Sequence, residues 1–391
     1  MTKKLYDLDA YATEFDAVVV SCEEIDEKDG KKYAVVLDET LFFPEEGGQS
    51  PDKGEINGIK VLDVQIARDV ITHMMEQPVQ AGEKVHGIID WKHRFSNMQQ
   101  HSGEHIFSGL VHNRFGFDNV GFHLSDNIVT MDFNGVLTAE NVADIEYAVN
   151  EVIINNLPVE VSFPSKEELE TLNYRSKIEI EGQVRIVTIP GVDVCACCAP
   201  HVKHTGEIGM LKVMTLQNYK GGVRISILCG FRALEAFREK SSVVNAISNT
   251  LTSNQEMLPE LVEKMKKSNQ DLKYQLAEAK QKLIAVKMAE IPAEQENVFL
   301  FENGLETPVV RNAVNELVAV HTGVCGIFVG NDEEGYNFII GSGSKDCKEI
   351  AALLREKVNA RGGGSMQMIQ GSVTAAEAVL RELLDAEGKY E

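Results

Sequence analysis

Two hydrophobic periods divide the first part of the chain. Residues 17–22 and 32–38 are apolar, β-branched runs that read as strands, joined by a turn containing Asp29-Gly30. Asn57-Gly58 between 54–56 and 59–66 is a hairpin signal, because both turn positions favour residues that tolerate a positive φ. Short, punctuated strands over 14–90 predict a small barrel or meander. From residue 91 the spacing becomes helical: Phe95, Met98, Ile106, Leu110 and Val111 recur at helical intervals, and Gly116 ends the run. Strands are predicted at 120–124 and 127–133. Thr138 then caps a helix with Val142, Ile145, Val149 and Val152 on one side. Ser165 and Glu168 form a capping-box pattern. Strands return at 183–189, 208–216 and 222–228.

No convincing strand occurs over 231–290. From Leu258 the steps alternate four and three through Val262, Met265, Asn269, Leu272, Leu276, Ala279, Leu283 and Val286, a heptad seam with one polar member. Pro259 suits a first helical turn and separates this helix from a preceding one. After Pro292, strands at 324–330 and 336–341, a helix at 347–358, the run Gly362-Gly363-Gly364, a segment at 366–369 and a closing helix at 375–384 describe a small α/β domain. The fold class expected is therefore α+β. Its parts are a β-barrel-like domain over 1–90, an α+β core over 91–232, a helical coiled-coil segment over 233–291 and a C-terminal α/β domain over 292–391.

Composition narrows the function. The chain has 391 residues, 43% of them hydrophobic and 25% charged, as a folded soluble protein has. No uncharged apolar run approaches the ~18 residues of a membrane span. Asp7, Asp9 and Glu14 interrupt any secretory leader, so a cytoplasmic location with reduced thiols is expected. The net charge of −22 excludes a protein that coats nucleic acid through bulk charge, but not one with a local basic surface. Such basic positions are Lys203, Lys212, Lys220 and Arg224, with Tyr219 among them. The long helix adds Lys264, Lys266, Lys267 and Lys273.

Seven cysteines, an odd number, argue against a disulfide framework. Three of them, Cys195, Cys197 and Cys198, fall within four residues and point to metal ligation or thiol chemistry. His101-Ser-Gly-Glu-His105 places two imidazoles on one helical face about 6 Å apart in rise. His112 is seven residues further along, too far to share an ion with them. The segment Cys195-Ala-Cys197-Cys198-Ala-Pro-His201-Val-Lys-His204 offers five more donors, and mixed Cys and His favour zinc. A site would draw His101 and His105 from the helix and two donors from this loop. With four protein ligands zinc is coordinatively full and positions a substrate; with three it holds water.

Several separated motifs resemble those of the alanyl-tRNA editing proteins, relatives of the editing and C-terminal regions of alanyl-tRNA synthetase. They are Thr40-Leu-Phe-Phe-Pro-Glu-Glu-Gly47-Gly48-Gln49, His101-x-x-x-His105, Cys197-Cys-Ala-Pro-His201, Thr205-Gly-Glu-Ile-Gly209 and Gly222-Val-Arg-Ile. They cover about 15–232, and 231–391 resembles more loosely the helical segment and glycine-rich DHH-associated domain of the synthetase. The family usually has two glycines and a threonine between its last Cys and His, where this chain has Cys198, Ala199 and Pro200. Cys195, Cys198 and His204 therefore stand beside Cys197 and His201 as competing donors.

The resemblance implies a zinc-dependent trans-editing hydrolase that deacylates tRNA(Ala) mischarged with serine, or with glycine. Its metal ligands would be His101, His105, Cys197 and His201. Thr40 and Gln49 are the candidate readers of the seryl hydroxyl, with Gly47 and Gly48 allowing close approach. Glu104 is the candidate general base. Partners would be the tRNA acceptor end and a second copy of the chain, bound through 233–391. Two other readings stand beside it. One is a zinc-stabilised tRNA-binding or dimerisation module without catalysis. The other is an H-x-x-E-H zinc peptidase with Glu104 as base and a third ligand such as Glu140.

Overall fold

The computed structural model describes residues 1–27, 30–176 and 183–387; Asp29 of the first expected turn lies outside them. The chain forms two compact units, 1–246 and 247–391.

In the first unit, β1 (Glu14–Glu27), β2 (Gly30–Leu37), β3 (Gly54–Ile56), β4 (Ile59–Ala67), β5 (Val70–Met75) and β6 (Lys84–Ile89) close into a barrel in the order β1-β2-β5-β4-β3-β6. Asn57 and Gly58 turn the β3–β4 hairpin at φ 51° and 74°, as a two-residue turn of that hand requires. Inward residues alternate along β2 (Val35 and Leu37) and β5 (Ile71 and Met75), and a register shift between Val61 and Asp63 brings both Val61 and Val64 of β4 into the same interior, filled out by Phe42 and Phe43.

One polar residue sits in that core. His73 is fully buried, with Nδ1–H donating to the Val35 carbonyl at 3.1 Å and Nε2 accepting the Thr40 hydroxyl at 2.9 Å. Burial pushes its pKa down from 6.5 to about 4, so the ring is neutral in the fold. The unfolded chain takes up a proton below pH 6.5 that the folded chain refuses until about pH 4. Stability from this site is therefore whole above pH 6.5 and drains away as pH falls through that window, by about 3 kcal/mol in all. Urea unfolding followed by Trp91, the single tryptophan, is expected to show this loss in the wild type and a flatter pH profile in His73→Gln. Parallel profiles for the two proteins would disprove it.

Beyond the barrel runs α1 (Trp91–Phe115), capped by the Asp90 carboxylate at the His93 amide and ended by Gly116 at φ 69°. The sequence predicts an apolar stripe, but the helix is buried on nearly all sides. Asn97, Gln99, Gln100, His101, Ser102, Glu104, His105 and Ser108 are inside along with Met98, Ile106, Phe107 and Val111. The polar groups are paired across the core. Gln100, for example, bonds both the amide and the carbonyl of Cys229, at 2.7 and 2.9 Å.

Four antiparallel strands pack beside α1: β7 (Asn119–Leu124), β8 (Val129–Phe133), β12 (Leu211–Tyr219) and β13 (Gly222–Cys229), in the order β12-β13-β8-β7. The helix α2 (Ala139–Ile154) carries the Thr138 cap, and Ser165 and Glu168 form the capping box of α3 (Lys166–Thr171). A smaller sheet joins β9 (Glu160–Ser162), β10 (Ile186–Ile189) and β11 (Asp193–Ala196) in that order. The expected strand at 208–216 begins only at Leu211. Thr205–Ile208 is a 3-10 turn that stops at Gly209, whose φ is 81°. The chain leaves this sheet system through α4 (Gly230–Leu251).

The second unit contains α5 (Leu258–Ala289), with Pro259 in its first turn, then β14 (Val298–Glu302), α6 (Thr307–Val320), β15 (Val324–Asn331), β16 (Gly335–Ser342), α7 (Cys347–Val358), β17 (Arg361–Gly364), β18 (Met368–Val373) and α8 (Glu377–Glu387). The sheet order is β14-β15-β16-β18-β17, with only β14 and β15 parallel. Alternate residues face opposite sides. Phe328, Phe338 and Ile340 meet α7 and α8, while Cys325, Ile327 and Ile339 meet α6 and Ile284 of α5. Along α5 the heptad residues Val262, Met265, Leu272, Leu276, Leu283 and Val286 are exposed. Among the described residues no helix is long and apolar enough to cross a membrane.

Candidate metal centre

His101 and His105 project from α1 toward the loop that follows β11. That loop returns because β11 pairs with β10, and Arg185 of the approach to β10 donates to the carbonyls of Cys197 and Ala199 at 2.8 and 2.9 Å. The result brings His101, His105, Cys197 and His201 together, with one ligand atom from each within 4.8 Å of all the others. The Cys197 Sγ lies 3.5 Å from His101 Nε2 and 3.4 Å from His201 Nε2.

Each imidazole is held from behind. His105 Nδ1 is 2.9 Å from the Asp193 carboxylate, which Arg175 grips at 2.7 and 2.9 Å. His201 Nδ1 is 2.9 Å from Ser102 Oγ, and His101 Nδ1 is 2.8 Å from Gln49 Oε1. Partners of this kind fix tautomer and ring orientation and leave the Nε2 lone pairs free to ligate. Three imidazoles and a soft thiol converging in a buried space fit a bound metal ion.

The electrostatics of Cys197 and His201 agree with that donor set. Burial opposes ionisation of the Cys197 thiol, but the imidazoles of His101 and His201 and the hydrogen bonds of His101 and His105 outweigh it and hold the thiol well below its ordinary range. Burial pushes His201 down to about 3, which keeps its ring a neutral donor. Burial also acts to lower His105, yet the Asp193 hydrogen bond and the neighbouring thiols carry it well above its usual value.

The competing donors are placed elsewhere. Cys195 forms a second, adjoining group with His105 and Asp193. Cys198 Sγ faces Gly47. His204 is exposed, 3.6 Å from Glu207. His112 is partly exposed and pairs with Asp118 at 2.9 Å. Glu140 stands exposed in the first turn of α2 and belongs to neither group, so it is not in place as the third ligand of the peptidase reading.

Glu104 is 1% exposed. Its Oε1 accepts from Ser108 Oγ and Asn119 Nδ2, both at 2.6 Å, and its Oε2 lies 4.0 Å from His105 Nε2. The Thr40 hydroxyl is engaged within the barrel core, donating to His73 Nε2 at 2.9 Å and accepting the Phe42 amide at 3.1 Å. Gly47 and Gly48 take φ 61° and 82°. A Cβ on Gly48 would stand 2.5 Å from the Phe122 carbonyl oxygen, so only glycine lets the loop lie against β7. Two of the basic candidates are already paired: Lys212 with Glu146 at 2.6 Å, and Arg224 with both oxygens of Asp132 at 2.6 and 2.7 Å. Lys203 and Lys220 lie over the rings of Tyr11 and Tyr219.

Sequence reasoning missed Asp193, Arg175 and Ser102 as supports of the histidines. Asp193 stands two residues before the cysteine cluster, which was the available signal; Arg175 carried none.

Comparison with known proteins places this geometry. The model for the threonyl and alanyl tRNA synthetase second additional domain matches residues 184–226, which hold Cys197 and His201. The class II (A) tRNA synthetase model matches residues 3–93. The alanyl-tRNA editing protein Aarsd1 of Mus musculus is 29% identical over 98% of this chain and 98% of its own. That of Rattus norvegicus is 30% identical over 94% and 93%. The alanyl-tRNA editing protein AlaX-L of Pyrococcus horikoshii is 35% identical over 61% of each. Among solved structures, the C-Ala domain of Aquifex aeolicus alanyl-tRNA synthetase aligns with 22% of this chain and 89% of its own, at 23% identity and a TM-score of 0.19. With near-complete coverage of relatives at this identity, the chain belongs to the alanyl-tRNA editing protein family.

Proposed function

We propose that this protein is a trans-editing hydrolase that cleaves the ester between serine, or glycine, and tRNA(Ala), at a zinc centre held by His101, His105, Cys197 and His201. The observation that carries the reading is the convergence of these four donors from segments about a hundred residues apart in the chain. When bound, zinc supplies Lewis-acid polarisation or a fixed point for the aminoacyl end. The chain's own residues do the rest. Asp193, Ser102 and Gln49 hold the three rings. Glu104 Oε2 is the position to accept a proton from an attacking water, while Oε1 stays fixed by Ser108 and Asn119. Gly47 and Gly48 let backbone approach the ligand.

The domain division read from the sequence belongs to this proposal, with the barrel and 91–232 presenting the site and 233–391 serving assembly in the cytoplasm. The exposed heptad face of α5 is the seam for a homodimer, which sedimentation equilibrium of the full chain would detect or refute. A zinc-stabilised module without turnover is the second reading. The decisive experiment is deacylation of Ser-, Gly- and Ala-tRNA(Ala) by the purified chain, with metal analysis of the same sample. Hydrolysis of the mischarged species with Ala-tRNA(Ala) spared, and about one zinc per chain, is expected. Metal binding with no turnover would favour the non-catalytic module.

A further inference from the structure

We propose that the second unit binds a nucleoside monophosphate, in a cleft between α6 and the uncovered half of its sheet. The proposal rests on neither the metal centre nor the editing reading.

The cleft exists because one helix cannot cover five strands. A helix about 10 Å across spans two or three strands spaced ~4.8 Å apart. Here α6 packs over β15 and β16, where Val310 and Ile339 are 3% and 4% exposed. Beyond it the same face lies open. Val329, Asn337, Ser372 and Arg361 form one row across β15, β16, β18 and β17, and Ile339 is paired with Gln370 in the next row. Asn337 stands on the central strand of the sheet and is nevertheless exposed, as are Ser372, Gln370 and Arg361. A cavity of about 360 Å³ follows, walled by Leu305, Thr307 and Val310 and floored by these rows. That volume falls within the range of small-molecule sites.

The lining sets the ligand's chemistry. Under α6 the surface is apolar, through Leu305, Val310, Val329 and Ile339, and suits the face of a flat ring. Two carboxamides border it. Arg311 of α6 donates Nη2 to Gln370 Oε1 at 2.5 Å, which fixes that amide and turns its Nε2 into a pure donor for a ring's polar edge. Asn337 adds one acceptor and a further donor group. At the open end Arg361 is the one cation that lines the cavity, and no acid lines it. A planar guanidinium of this kind matches the oxygens of a phosphate. One cation serves one phosphate. A nucleic-acid strand needs a track of them, above all on a chain of net charge −22. The geometry thus favours a single free nucleotide.

The test is titration calorimetry of the full chain with AMP, GMP, CMP and UMP, and with adenosine and inorganic phosphate as the two halves of the ligand. At least one monophosphate is expected to bind roughly tenfold more tightly than either half. Arg361→Gln removes the phosphate contact, and Ser372→Leu fills the cleft from an exposed strand position. Each is expected to weaken binding about tenfold or more. Far-ultraviolet circular dichroism establishes that both variants are folded. Monophosphates that bind no better than adenosine or phosphate would overturn the proposal, as would wild-type affinity in either variant. A tRNA transcript that loses affinity in Arg361→Gln, with no monophosphate bound by the wild type, would give the cleft to RNA and equally refute it.

Discussion

Cys197→Ala is expected to weaken zinc binding at least 100-fold and to abolish measurable hydrolysis of Ser-tRNA(Ala). Cys197 is the one soft donor of the convergent set, and both His101 Nε2 and His201 Nε2 point at its sulfur. Its thiol is also held well below its ordinary range by those imidazoles against the opposing effect of burial, which favours the thiolate that ligates. Truncation leaves three imidazoles with a void on one side, a set able to hold zinc but without its charge-neutralising ligand. Cys195→Ala and Cys198→Ala are the controls, since one thiol sits in the adjoining group and the other faces Gly47. Chelator competition on the three variants decides between the sets. Retention of tight zinc by Cys197→Ala with loss in Cys195→Ala would move the centre to His105, Asp193 and Cys195.

What could be read from the chain alone follows from how local each feature is. The Asn57-Gly58 hairpin, the stop at Gly116, the cap at Thr138 and the capping box at Ser165 are signals within a few residues, and each forms where it was expected. The strand β11 was hidden because Asp193-Val-Cys-Ala reads as part of a cysteine-rich loop, while its pairing depends on β10. In the second unit β14 and α6 were missed. The run Val298–Glu302 is short, and it is a strand because it lies parallel against β15. The ligand pairs were legible by spacing, since i, i+4 on a helix and four residues in a loop fix neighbours. Their supports were not: Gln49 and Asp193 are 52 and 88 residues from the rings they hold. Thr40 and Gln49 lie in one motif and looked alike as hydrogen-bonding side chains. The barrel turns one into its own core toward His73 and leaves the other at the histidines.

Asp52→Ala is expected to lower the stability of the first unit by about 3–5 kcal/mol, because it leaves a buried guanidinium without its counter-ion. Asp52 and Arg94 have side chains 0% exposed. Arg94 Nε bonds both carboxylate oxygens at 3.0 and 2.9 Å and Nη2 bonds one of them, while Nη1 donates to the Ala10 carbonyl at 3.0 Å and Nη2 to that of Leu41 at 2.5 Å. Asp52 also accepts the Phe43 amide at 2.7 Å. One ion pair thus ties the first turns of α1 to both ends of the 43–52 loop, the loop that carries Gln49 to His101. A unit of this size would lose roughly 10 °C in melting temperature for such a change. The double variant Asp52→Leu/Arg94→Met replaces charge with apolar volume and is expected to recover much of the loss, since it leaves no charge stranded. Thermal unfolding followed by Trp91 fluorescence, at the start of the same helix, reads both variants. A single variant that melts with the wild type would show that the pair contributes nothing net. A double variant no better than the single would show that packing cannot replace the bridge, and that the geometry of the ion pair itself holds the loop against the helix.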